Sequence, residues 1–137
     1  MFEWREEYRV GVAALDEQHR ELFGLMQALH EGYAESAPVK RGRAVFVRML
    51  TDLVVKTKAH FATEEELMRR WSYPHSAEHK QVHDALVGHA EELLEKVQRR
   101  GDIGAADVIR FLNKWVAHHI SAADHQLAAF LIEHDAC

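Results

Sequence analysis

Residues 46–71 read FVRMLTDLVVKTKAHFATEEELMRRW, and one row of side chains within them decides the fold. That row is Phe46, Leu50, Leu53, Thr57, His60, Glu64, Leu67 and Trp71. Its spacings alternate between four and three, the period of one face of an α-helix. Lys, Arg, Glu and Gln fill the opposite faces. The row is apolar at both ends and polar in the middle, at Thr57, His60 and Glu64.

The same period runs through three more segments. One carries Leu15, His19, Leu22, Met26, Leu29 and Tyr33. Another carries His79, His83, Leu86, Ala90, Leu93 and Val97, and the last Ala105, Val108, Leu112, Trp115 and His119. Pro38, Pro74, Gly32, Gly42, Gly101 and Gly104 fall between the segments, where chain breakers belong. Helices are therefore expected over about 16–36, 40–71, 75–100 and 105–133, after an N-terminal arm over 1–15. Asp16 is the expected N-cap of the first helix, and Gly101 the breaker after the third. Short connections make successive helices antiparallel. The expected fold is all-α, an up-down-up-down antiparallel four-helix bundle forming a single domain over 1–137.

Composition narrows the function classes. The chain has 137 residues, 47% of them hydrophobic and 28% charged, which suits a globular domain. Its formal charge is −5, so a nucleic-acid footprint is not expected. No apolar run approaches the ~18 residues of a membrane span. The charged N-terminus does not read as a signal peptide, and the single cysteine, Cys137, allows no intrachain disulfide. A cytoplasmic setting is expected. Eleven histidines are the one unusual count.

Six polar residues occupy core positions of the rows: His19, His60, Glu64, His79, His83 and His119. Each helix contributes at least one, so the side chains point at a common axis. A buried carboxylate without a partner costs several kcal/mol. Imidazoles gathered around a carboxylate instead suit a metal, which neutralises the acid and uses the ring lone pairs. His60 and Glu64 are four apart, as are His79 and His83. Residues at that spacing share a helix face, with Cβ atoms about 5–6 Å apart. One such pair is a weak signal, but two in register with His19 and His119 are a strong one. The remaining histidines lie off these rows and read as surface or capping residues, with one alternative kept open for His118 and His125, that either replaces His119 or contacts the site.

Asp124 breaks the period. Five residues of α-helix advance about 500°, which would leave Asp124 about 140° from His119. The row resumes in a new phase as Asp124, Leu127, Ala128 and Leu131. One extra residue between His119 and Asp124 restores the match, and a single π-helical turn supplies it.

Taken together these residues resemble hemerythrin, in particular the single-domain bacterial hemerythrins. The matching pieces are Val12–Ala13–Ala14–Leu15–Asp16–Glu17–Gln18–His19, His60–Phe61–Ala62–Thr63–Glu64–Glu65, Trp71–Ser72–Tyr73–Pro74, His79 to His83, Trp115 to His119–Ile120, and Asp124. The resemblance implies reversible dioxygen binding at a non-haem centre of two iron ions with an oxo or hydroxo bridge. It implies that His79, His83 and His119 bind one iron, that His19 and His60 bind the other, and that Glu64 and Asp124 bridge them. It implies an oxygen pocket lined by Phe61, Trp115, Val116 and Ile120, with small anions as ligands of the oxidised centre. Val116 departs from the leucine usual there. The role it implies is oxygen storage, delivery or sensing, not catalysis.

Other functions stay open on the sequence. A diiron enzyme on the same fold, acting as a peroxidase or in nitric oxide or oxygen detoxification, uses the same ligands. An iron-handling bundle of the ferritin type carries Glu-x-x-His motifs, and this chain has none. A zinc or structural bundle is the remaining rival.

Overall fold

A computed structural model describes residues 4–35, 40–99, 110–111, 119 and 123–134. Among them the regular structure is entirely helical. A short 3-10 turn over Glu6–Tyr8 precedes α1 (Ala13–Glu35), α2 (Lys40–Arg70), α3 (Ser76–Arg99) and α4 (His125–Glu133). Arg110 and Phe111 are also helical. No helix among the described residues is long and apolar enough to cross a membrane.

The expected boundaries shift most at the start of α1, which begins at Ala13 and not near Asp16. The Val12 carbonyl accepts the first helical bond, from the Asp16 N–H. Asp16 is thus inside the first turn and is not the N-cap. Its carboxylate reaches back to accept the N–H groups of Val10 at 2.8 Å and Gly11 at 3.1 Å. Gly11 has φ +93°, a conformation that favours glycine. The arm thereby folds onto the bundle, with Tyr8 stacked on Phe23 and Trp4 edge-on to it.

The second shift is at the end of α2. Trp71, expected in the core row, is 36% exposed, and Met68 is buried in its place. The helix stops at Arg70 in a Schellman turn: the Tyr73 N–H bonds the Met68 carbonyl and the Ser72 N–H the Arg69 carbonyl. Ser72 takes the left-handed conformation this turn needs, with φ 51°. The chain swings round so that Tyr73 packs beside Met68 while Trp71 faces outward. Gly101 lies outside the described residues.

Contacts between helices run in opposite senses. Along α1 and α2, Gln18 meets Thr63, His19 meets His60 and Glu21 meets Lys56. Along α2 and α3, Lys58 meets Glu91 and Glu65 meets His83. The buried rows then divide into three layers. One apolar cluster holds Leu15, Met68, Tyr73, Leu127 and Leu131. The other holds Leu22, Met26, Leu50, Leu53, Leu86 and Phe111. Between them, on the same helices, lies a layer of buried histidines and carboxylates.

Candidate metal centre

Each polar side chain owes its place to a helix row. His19 sits on α1 between Leu15 and Leu22. His60 and Glu64 sit on α2 between Leu53 and Met68, and His79 and His83 share the inner face of α3. His119, Ala123 and Asp124 are π-helical, as the phase slip of the row required. The wider turn lets both His119 and Asp124 point inward, and both are 0% exposed.

All seven expected ligands meet. His79, His83, His119, Glu64 and Asp124 form one group, and His19, His60, Glu64 and Asp124 another. Within each group the ligand atoms lie within 4.8 Å of one another, and either could hold a metal ion. Glu64 Oε1 is 2.8 Å from His83 Nε2 and 3.2 Å from both His79 Nε2 and His119 Nε2. Asp124 Oδ2 is 2.7 Å from His19 Nε2 and 3.4 Å from His60 Nε2. Its Oδ1 is 2.9 Å from His119 Nε2 and 3.2 Å from His79 Nε2.

Charge in this layer has to be balanced. Burial pushes the Glu64 carboxyl up and the Asp124 charge adds to that, but hydrogen bonds with His119, His79 and His83 hold it at about 2. Burial likewise opposes ionisation of Asp124, yet the charge of His119 and bonds with His119, His19 and His60 keep it well below the usual carboxylate range. For His79 and His119, burial lowers the pKa, but the two carboxylates outweigh it and raise both to about 9. Burial lowers His60. Without metal, protons on the rings neutralise the carboxylates.

Two observations fit a cation better than protons. His19 Nε2 and His60 Nε2 face each other at 3.1 Å, beside the same carboxylate oxygen. Among the described residues, Glu64 Oε2 is buried without a hydrogen bond. Facing imidazole nitrogens and a buried carboxylate oxygen lacking a donor are the arrangement a divalent ion satisfies. The hemerythrin HHE cation binding domain matches residues 10–131.

The chain belongs to the hemerythrin family. It is 32% identical to the bacteriohemerythrin of Stenotrophomonas maltophilia over 126 residues, 91% of this chain and 78% of that one. It is 32% identical to a hemerythrin-like protein of Naegleria gruberi over 90% of this chain and 87% of that one. The bacteriohemerythrin of Pseudomonas aeruginosa PAO1 is 27% identical, over 88% and 75% respectively. No solved structure gives a significant match.

The surroundings of this hemerythrin cluster divide less evenly. Phe61 is buried against it, stacked on the His83 ring and edge-on to His119. Trp115, Val116 and Ile120, the other expected pocket residues, lie outside the described residues, as does His118. His125 is half-buried and outside both ligand groups. Two side chains without an expected role touch the cluster directly. Gln18 Oε1 accepts from His60 Nδ1 at 2.7 Å, and Glu65 Oε2 accepts from His83 Nδ1 at 2.9 Å. Both adjoin a ligand in sequence but fall off the core row, where a polar residue reads as a solvated face.

Proposed function

We propose that this hemerythrin reversibly binds dioxygen at a centre of two iron ions in a single up-down-up-down four-helix bundle. The observation that carries the reading is the sharing of Glu64 and Asp124 by the two ligand groups. That sharing suits two ions bridged by two carboxylates. His79, His83 and His119 would hold one, and His19 and His60 the other. Two iron ions held there would supply the two electrons that reversible binding of dioxygen requires.

The rest is the work of the chain's own side chains. The two-histidine side offers one imidazole fewer, which leaves room there for a small ligand. Phe61 covers two of the rings with apolar surface and keeps water from them. Among the described residues, five imidazoles and two carboxylates occupy the layer, and all seven fall within the two ligand groups, where each is placed to hold a metal. That donor set favours binding over turnover.

The test is metal analysis joined to an optical titration. Protein made with ample iron should hold two irons per chain. Anaerobically reduced protein should gain a visible absorption band with oxygen and lose it under argon. One metal per chain, zinc in place of iron, or irreversible oxidation on the first exposure would overturn the proposal.

A further inference from the structure

The histidines of the polar layer are not held equally. His83 is fixed from three directions. Its Nε2 faces Glu64 Oε1, its Nδ1 donates to Glu65, and its ring lies on Phe61 with centroids 3.8 Å apart and planes 3° apart. A carboxylate can only accept, so Nδ1 carries the hydrogen and the Nε2 lone pair faces the centre. Glu65 is anchored in turn by Lys80 at 3.6 Å, which also donates to Asp84 at 3.1 Å. Glu65 and Lys80 both reach solvent.

The two-histidine side is built differently. His60 Nδ1 donates to a neutral amide, Gln18, whose Nε2 donates to Thr63 Oγ1 at 3.1 Å. Among the described residues, His19 Nδ1 is buried without a hydrogen-bond partner. A carboxylate behind an imidazole fixes the ring and makes its other nitrogen a better donor. A neutral amide fixes the ring with less electronic effect, and an absent partner does neither.

We propose that Glu65 is a positioning residue that makes the three-histidine side of the centre the tighter one, so that the two sides release metal at different rates. Glu65 acts through His83 and is not itself in either ligand group. The inference rests on the two-iron reading above. It adds an order of release and a surface-linked residue that sets it.

The experiment loads the full chain with ferrous iron under anaerobic conditions and follows transfer to a chromophoric ferrous chelator. Wild type should release iron in two phases of equal amplitude. Glu65→Ala should speed the slow phase tenfold or more, the scale on which second partners of metal-bound histidines act. Glu65→Gln, which keeps an acceptor but loses the charge, should fall between Ala and wild type. Gln18→Ala should speed the fast phase only. Lys80→Met, one step further out, should change the slow phase less than threefold. Thermal unfolding of the metal-free variants checks that each is folded. A single phase in wild type overturns the inference, as do slow phases equal in wild type and both Glu65 variants. Wild type that does not load two irons per chain would instead defeat the two-iron reading.

Discussion

Leu53 and Glu64 lie on the same row of α2, and both are fully buried. Leu53 packs in an apolar cluster with Leu22, Met26 and Leu50. Glu64 faces four imidazoles. The helical period puts both inside with equal force, but the energetics are opposite. Burial of Leu53 is favourable in itself, by about 1.5–3 kcal/mol for a side chain of this kind. Burial of Glu64 is unfavourable until protons or a cation answer its charge. One layer is stable on its own terms, and the other depends on what occupies it.

The largest expected effect tests the independence of the apolar layer. Leu53→Ala should cost about 2–5 kcal/mol through lost burial and the cavity left behind. Urea unfolding should give the same cost with and without metal. A cost that changes with metal would mean that the two layers are coupled and would break the comparison.

The next effect concerns the polar layer. His79 and His119 have folded pKa values of about 9 against an ordinary 6.5. A raised histidine pKa means that the folded chain binds more protons than the unfolded one. Its contribution is therefore complete below pH 6.5 and is lost as pH rises through 9. Metal-free protein should lose stability across that window. Iron-loaded protein should not, because the metal replaces those protons, and its affinity should rise with pH over the same range. Denaturant midpoints at several pH values, taken in both forms, measure the difference. Parallel curves would remove the distinction between the layers.

The smallest effect sharpens the contrast with a third case. Asp16 is a buried carboxylate answered by backbone N–H groups and not by imidazoles. Asp16→Asn keeps the shape but weakens those bonds, at about 1 kcal/mol. The cost should be the same with and without metal in the same unfolding experiment.

The sequence made the helices and the seven clustered side chains legible because both rest on period alone. Every side chain at His19, His60, Glu64, His79, His83, His119 and Asp124 is buried where its row predicts. Even the irregular turn was legible, since Asp124 and Leu127 could share the core with His119 only across a phase change. Ends were harder to read. Asp16 looks like a cap, but its carboxylate serves N–H groups further back, and Ala13 to Leu15 are helical without a side-chain signal. Trp71 continues the α2 row in sequence, but the helix ends at Arg70 and the turn at Ser72 brings Tyr73, not Trp71, into the cluster. Gln18 and Glu65 were opaque for a different reason. Their roles come from contact between helices, Gln18 on α1 with His60 on α2 and Glu65 on α2 with His83 on α3, and no spacing within one helix encodes that.

The π-helical turn at His119 and Asp124 sets the phase of everything after it. Leu127, Ala128 and Leu131 are buried because the turn has already rotated α4 by one residue's worth, about 100°. Regular α-helical winding onward from His119, with every residue kept, would leave Asp124 about 140° from His119 and swing it out of the layer. Leu127 and Leu131 would leave the far cluster in the same movement. One residue of slack thus keeps the polar layer and the apolar cluster beyond it in step.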